Sequence, residues 1–342
     1  MRNELVLVTG GTGFIAQYCI AALLEQGYRV RTTVRSLDRE AEVRGHLRVA
    51  GVEAGDRLAF VHADLSKDDG WPAAVADCTY VMHGASPTPS GAQVREEDWV
   101  RPAVDGNLRV LRAARDAGVK RVVLTSAIGA VAAGHKPGYP RPFKETDWSD
   151  VQGDIAPYQK SKTLAERAAW DFIRREGKGL ELAAVNPTAV MGPALGADYS
   201  HSVRLVKNML EGQQKGCPRI SSGFVDVRDV ADLHIRAMLD PKAAGERFIA
   251  TAGASMRMID VARTLRERMG PAAARVPSRV LPNWLVRLAA RKNPALRPVV
   301  PLLGVDLSTT SAKAQRVLGW KPRSPEDAIV ASAESLIRLG LV

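Results

Sequence analysis

Three glycines fall within four positions, Gly10, Gly11 and Gly13. An apolar, β-branched run, Leu5-Val-Leu-Val-Thr9, precedes them. After them Phe14, Ile15, Tyr18, Cys19, Ala22 and Leu23 recur at helical spacing. The pattern is strand, tight turn, helix. Glycine in such a turn permits positive φ and lets the backbone approach a ligand closely. The start of the helix offers unpaired N–H groups and a partial positive charge, which suit a diphosphate. Gly10, Gly13 and Ala16 stand three apart, a variant of the dinucleotide fingerprint in which alanine serves as the third small residue. A turn of this composition can also be purely structural. Its position between a clear strand and a clear helix favours cofactor binding.

The alternation continues. Tyr28 to Arg35 reads as a second strand. An NAD site usually has Asp or Glu at this strand end, whereas this chain has Arg35-Ser36, with Arg39 close behind. A guanidinium there favours a 2′-phosphate, so the expected cofactor is NADP(H). Leu37 to Gly55 reads as a charged helix and loop, and Leu58 to His62 as a third strand. Asp64-Leu65 follows; Asp64 either accepts the adenine amino group or caps a helix over Ser66 to Trp71. A fourth strand, Tyr80 to Ala85, ends in Ala85-Ser86-Pro87, small enough to admit the nicotinamide ribose at the carboxyl edge of the sheet. Trp99 to Ala117 is a long helix containing Asn107, and Val119 to Ser126 a fifth strand. Val131 to Pro157, rich in Gly and Pro, reads as a surface loop. Strands that alternate with helices predict an α/β fold, a doubly wound parallel sheet covered on both faces.

Gln152 to Glu176 reads as a helix carrying Tyr158 and Lys162, four apart and therefore on one face. A free phenol titrates near 10, too high for proton exchange at neutral pH. A neighbouring ammonium stabilises the phenolate and lowers that value. Tyr158 then serves as general acid or base toward a carbonyl or alcohol. Alone the pair often marks an exposed helix face; downstream of a nucleotide turn it points to catalysis.

These stretches together identify a resemblance. The sequence is similar to an extended short-chain dehydrogenase/reductase of the dihydroflavonol 4-reductase-like group. The matching runs are Thr9 to Ala16, Val34-Arg-Ser36, Ala63-Asp-Leu65, His83-Gly-Ala-Ser-Pro87, Tyr158-Gln-Lys-Ser-Lys162, Asn186-Pro187 with Gly192-Pro193, Val225 to Val230 and Leu318-Gly-Trp320. The resemblance implies a Rossmann domain over 1–186 plus 224–254 and a substrate-binding lobe over 187–223 plus 255–342. It implies NADPH as the hydride source, Tyr158 as acid/base, and Lys162 as its activator and a ribose ligand. Gly10, Thr12, Gly13, Phe14, Ile15, Arg35, Asp64, Leu65, Ala85 and Ser86 are the further cofactor contacts, with Pro187 and Val190 near the nicotinamide. Family members often carry two serines after the threonine of the fifth strand; here the run is Thr125-Ser126-Ala127, which leaves Ser126 as the candidate hydroxyl, with Thr125 or a backbone group as substitutes. Cinnamoyl-CoA reductases have an Asn-Trp-Tyr-Cys-Tyr run where this chain has Asp154-Ile-Ala-Pro-Tyr158, which speaks against a CoA thioester.

The expected activity is reduction of an aldehyde or ketone with an apolar or aromatic body. Its rivals are alcohol or sterol oxidation, sugar-nucleotide epimerisation or dehydration, and an NADP(H)-binding sensor without chemistry. The net charge is +11, but the basic residues are scattered without interleaved aromatics, so no nucleic-acid partner is expected. Cys19, Cys78 and Cys217 have neither metal nor disulfide spacing, and no signal peptide or membrane span is apparent, which together suggest a cytoplasmic protein. By family analogy the helices at 99–117 and 152–176 form a homodimer face. Asp226 and Asp229 read as caps of the helix that follows them, with Arg228 as their partner. His201 sits where a pocket wall is expected. Arg275 to Arg297 holds six basic residues and no acidic one. Within it Leu281, Trp284, Leu285 and Leu288 lie at helical spacing; inward packing of this stripe is favoured over a pocket lip or a membrane-surface helix.

Overall fold

A computed structural model describes residues 4–87, 95–136 and 138–342. In chain order the elements are β1 (Leu5–Thr9), α1 (Phe14–Glu25), β2 (Arg29–Val34), α2 (Glu40–Val49), β3 (Leu58–His62), α3 (Trp71–Val75) and β4 (Tyr80–His83). There follow α4 (Glu96–Asp116), β5 (Arg121–Thr125), α5 (Pro157–Glu176), β6 (Glu181–Pro187), β7 (Ala189–Met191), α6 (His201–Leu210) and β8 (Ser221–Asp226). The rest comprises α7 (Val227–Leu239), β9 (Arg247–Ala250), β10 (Ala252–Arg257), α8 (Met258–Met269), α9 (Asn283–Lys292), α10 (Ala312–Leu318) and α11 (Pro325–Arg338).

Seven strands form one parallel sheet in the order β3-β2-β1-β4-β5-β6-β9. All five residues of β1 are buried, as a strand covered on both faces requires. The order reverses between β1 and β4, and in open α/β sheets ligands bind at the carboxyl ends beside such a reversal. One apolar cluster joins β1 through Val6 and Val8 to α1 and α7, and continues without a break into β8, α8 and α11 through Phe224, Leu265 and Leu336. A second cluster fills the other face from Leu7, Val81 and Val122 to α4 and α5 through Leu111 and Phe172. A smaller sheet, β10-β8-β7, stands at the end of β6.

The structure differs from the sequence reading in four places. No helix begins at Ser66: Asp64 instead accepts the Ser66 N–H and hydroxyl, both at 2.8 Å, and α3 starts at Trp71 after Gly70, whose φ is 84°. The catalytic helix begins at Pro157, five residues later than expected, because proline suits the first helical position and the preceding Ala156 is extended. The 131–157 stretch, described apart from Pro137, is no mere surface loop, since Phe143 is fully buried with Val131, Ala132 and Ile249. It bridges to Thr309, because the stretch supplies apolar groups that cover the end of β9. Finally, α9 buries Val286 and Ala290, one turn apart, and turns Trp284, Leu285 and Leu288 outward. Leu281 alone of that stripe packs inside, against Gly216.

Candidate active site

A cleft of about 370 Å³ opens where β1, β2, β3 and β4 end. Gly10, Thr12, Gly13, Arg35, Asp64 and Leu65 line it, and Ala85 and Ser86 close its far side. The glycines are sterically required. Gly10 has φ 72°, and a Cβ on it would come within 3.1 Å of Ala85 Cα. A Cβ on Gly11 would come within 2.3 Å of the Thr32 hydroxyl. Thr9 sets the opposing wall: its hydroxyl accepts from Ala85 N at 3.0 Å and meets His83 Nδ1 at 2.8 Å. Helix α1 begins after Gly13 with no side-chain cap, so its opening amides face the cleft region with no partner inside the helix. The Phe14 side chain is buried against Tyr18, so Phe14 and Ile15 offer backbone amides rather than side chains.

The two candidate arginines differ. Arg39 is held by Glu42, with two contacts of 2.8 Å, and by Asp198 at 3.3 Å. Arg35 is exposed on the cleft rim and has no ion-pair partner among the described residues. The donor set therefore fits a phosphorylated dinucleotide: flexible glycine backbone for the diphosphate and an uncommitted guanidinium for a further phosphate.

A second, very small cavity adjoins the first through Ser86, and Asn107, Thr125, Ser126, Lys162 and Glu166 surround it. Tyr158, at the second position of α5, packs its ring edge-on to Trp99 at 5.9 Å. It is 43% exposed, yet deep enough in the protein that desolvation raises its phenol above the ordinary 10. Lys162 Nζ reaches the Thr125 carbonyl at 3.4 Å. Burial pushes Lys162 down to about 8, and the charge of Glu166 opposes that fall. The expected lowering of the Tyr158 pKa is therefore absent here, because the ammonium is itself desolvated and turned onto a backbone carbonyl. The phenol keeps its proton at neutral pH.

Ser126 was expected to present its hydroxyl to substrate, but that hydroxyl donates to Glu166 Oε2 at 2.5 Å. Thr125 Oγ1 lies 2.7 Å from His234 Nε2, while His234 Nδ1 lies 2.8 Å from the Val230 carbonyl. His234 must donate from Nδ1 there, so Thr125 donates to Nε2. Both hydroxyl protons next to Ala127 are thus already engaged. Pro187 ends β6 paired with Ala250, and Val190 is buried in β7; neither lines the cleft. His201 is exposed at the first position of α6. Asp226 caps α7 and pairs with Arg228, as expected, but Asp229 turns to Arg323.

Sequence reasoning missed Glu166. Its fully buried carboxylate also accepts from Asn186 Nδ2 at 2.8 Å, Arg247 Nε at 2.6 Å and Trp170 Nε1 at 3.2 Å. Arg247 in turn donates to the carbonyls of Glu145 and Asp147 and lies 3.7 Å over the Trp148 ring. Glu166 follows Lys162 by four, the same step that joins Tyr158 to Lys162 on one face. His83, between Thr9 and Asn107 Oδ1, forms a second buried link behind Lys162.

A family model described as the NAD dependent epimerase/dehydratase family matches residues 6–251. A cinnamoyl-CoA reductase of Medicago truncatula, CAD2, is 34% identical over 270 residues, spanning 78% of this chain and 81% of that protein. A (2S)-flavan-3-ol-forming anthocyanidin reductase of Vitis vinifera is 34% identical over 281 residues, again 78% and 81%. Among solved structures, the yeast methylglyoxal/isovaleraldehyde reductase Gre2 complexed with NADPH superimposes with a TM-score of 0.80 at 27% identity, covering 99% of this chain and all of that one.

Proposed function

The chain belongs to the NAD dependent epimerase/dehydratase family, and from that premise we propose that it is an NADP(H)-dependent reductase of an aldehyde or ketone carbonyl. The single observation that carries this reading is the pair on α5, Tyr158 against the Trp99 ring with Lys162 one turn on and lining the second cavity. When bound, the reduced nicotinamide supplies the hydride that the carbonyl carbon accepts. Tyr158 holds the proton that the carbonyl oxygen takes up as its negative charge develops, and later recovers a proton from solvent. Lys162, turned onto the Thr125 carbonyl while the phenol is neutral, supplies the positive charge once the phenolate has formed. Gly10, Thr12, Gly13 and the opening amides at Phe14 and Ile15 hold the diphosphate, Arg35 the 2′-phosphate, and Asp64 with Leu65 the adenine end. Ala85 and Ser86 flank the nicotinamide ribose. Ser126 acts by fixing the turn before Ala127 to Glu166, rather than by donating to substrate.

The substrate faces the Trp99 ring, which supports an apolar or aromatic body next to the carbonyl. The lobe that covers it comprises the β10-β8-β7 sheet and the elements after it. The strands argue for boundaries at 187/188, 226/227 and 251/252, since 223/224 and 254/255 cut β8 and β10. Among the described residues no helix is long and apolar enough to cross a membrane. One observation favours a second reading, NADP(H) binding without turnover: Ala127 replaces a hydroxyl, and Thr125 and Ser126 spend theirs inside the protein.

One assay separates the two readings. Purified protein is followed for NADPH oxidation against a panel of aldehydes and ketones, with Tyr158→Phe alongside. Turnover by the wild type, lost in Tyr158→Phe while NADPH binding is kept, is the expected result. Retained turnover in the variant removes Tyr158 from the chemistry; binding with no turnover of any carbonyl, or of alcohols with NADP⁺, selects the sensor.

A further inference from the structure

The exposed large apolar residues are unevenly spread. Ten occur among the described residues, and five of them, Val280, Trp284, Leu285, Leu288 and Val305, fall within 280–305. Trp284 is the most open, at 64%. On α9 the buried pair, Val286 and Ala290, defines the inner face. At 100° per residue Trp284, Leu285 and Leu288 project on the opposite side, so this is an outward ridge rather than a frayed core edge.

The ridge is fringed by cations. Arg287, Arg291 and Lys292 are exposed on the same helix, and none has an ion-pair partner among the described residues. The chain contains no acidic residue between Glu267 and Asp306, although it has seven basic ones there. Several surface arginines elsewhere pair with nearby carboxylates, as Arg44 with Glu40 and Arg236 with Asp232. The reductase chemistry does not use the α9 ridge.

We propose that the outer face of α9 is a docking surface for an anionic lipid bilayer, Trp284, Leu285 and Leu288 entering the headgroup boundary and Arg287, Arg291 and Lys292 meeting lipid phosphates. The charge pattern selects this occupant. A second copy of the chain would bring a like-charged surface, the net charge being +11. A single-stranded nucleic acid needs a row of stacking rings, and the ridge offers one ring with two leucines. A bilayer interface takes both halves of the pattern, tryptophan and leucine at its boundary and basic side chains at its anionic surface. The inference stands apart from the reductase assignment, and an enzyme docked there would meet apolar carbonyl compounds where they partition.

The test is co-sedimentation of the full chain, loaded with NADPH, with phosphatidylcholine vesicles with or without about 30% phosphatidylglycerol. Two variants accompany it: Trp284→Ser with Leu288→Ser, and Arg287→Glu with Arg291→Glu. All four side chains are exposed, so an unchanged thermal midpoint is expected and verifies the fold. The wild type should pellet with the anionic vesicles and not with the neutral ones, and be released when salt is raised to about 0.5 M. Each variant should bind at least about tenfold more weakly than the wild type. No pelleting of the wild type with anionic vesicles, or pelleting of either variant equal to the wild type's, overturns the proposal. Retention on single-stranded DNA without vesicle binding reassigns the surface to nucleic acid.

Discussion

Glu166→Gln tests how the buried acid supports the catalytic helix. The carboxylate receives five donors from four residues: Arg247 Nε and Trp170 Nε1 on one oxygen, Ser126 Oγ, Asn186 Nδ2 and Arg247 Nη2 on the other. Whichever way a glutamine amide is placed, its NH₂ group meets at least two of these donors and the Arg247 cation loses its counter-charge. Removing one partner of such a buried pair costs about 3–5 kcal/mol. With an unfolding entropy of about 2.1 cal/mol/K per residue, a chain of 342 residues should lose about 4–7 °C in Tm. A second consequence lies at the active site. Lys162 sits at about 8, lowered by burial and held up by Glu166. Its other charged or titratable neighbours are Tyr158, one turn before it, and the neutral His83 behind it. Without the carboxylate Lys162 loses its proton at still lower pH, so the alkaline limb of kcat/KM should move downward. Scanning calorimetry and a pH–rate profile of free enzyme with NADPH and one reduced carbonyl measure both effects. A Tm loss of only a degree or so, together with an unmoved alkaline limb, would refute the reasoning; a Tm loss alone would leave Glu166 purely structural.

Arg35→Glu should weaken NADPH binding by at least about tenfold and narrow the gap to NADH, because the exposed guanidinium has no ion-pair partner among the described residues; fluorescence titration with both nucleotides checks this, and an unchanged preference would remove Arg35 from the site. Ser126→Ala should cost about 2 kcal/mol of stability, a hydrogen bond to a buried charge, but less than about tenfold in kcat. A hundredfold loss of kcat would show that the hydroxyl turns to the substrate during reaction. Stability should also fall in acid. His83 and His234 are fully buried and burial lowers both from 6.5 to about 4, so the unfolded chain binds protons that the folded chain refuses. Their contribution is complete above about pH 6.5 and is lost as pH falls toward 4, by about 3 kcal/mol each. Melting curves across that range, flattened in His234→Gln, are the measure.

Local patterns in the sequence carried the nucleotide half of the molecule. β1, the glycine turn and α1 were readable because strand, turn and helix there depend on neighbours within a few residues, and β3 was read to the residue for the same reason. The start of α5 was misplaced by five residues since Asp154 and Ile155 are compatible with a helix, and only Pro157 marks its first turn. Phe143 looked like a loop residue because nothing nearby in sequence reveals that Thr309 and Ile249 lie against it. The outward stripe of α9 was invisible for a different reason. A helical wheel shows that apolar residues share a face but not which of two faces meets the core, and small Val286 and Ala290 took the inner one.

The same limit explains why Tyr158 and Lys162 were found while the group that steadies them was not. Tyr158 and Lys162 form a local pair, and Glu166 is local to them as well. Its meaning comes from Ser126, 40 residues back, and Arg247, 81 residues ahead. A buried carboxylate with donors from four residues binds the end of β5, the end of β6, β9 and α5 into one unit. That unit accounts for the placement of Ser126: a hydroxyl that donates to Glu166 has no proton left for a substrate oxygen. If chemistry takes place here without a serine at position 127, the proton must come from Tyr158 alone, and desolvation keeps that proton in place until the carbonyl oxygen becomes basic. Oxidation of an alcohol would need the phenolate first, against the same desolvation. The resting site is therefore loaded for the reductive half, its phenol holding the proton that the developing alkoxide needs. Loss of the Lys162 proton near 8 removes the charge that favours the phenolate left behind, so the rate of carbonyl reduction should fall as pH is raised past that point, and a rate flat through it would show that Lys162 does not assist Tyr158.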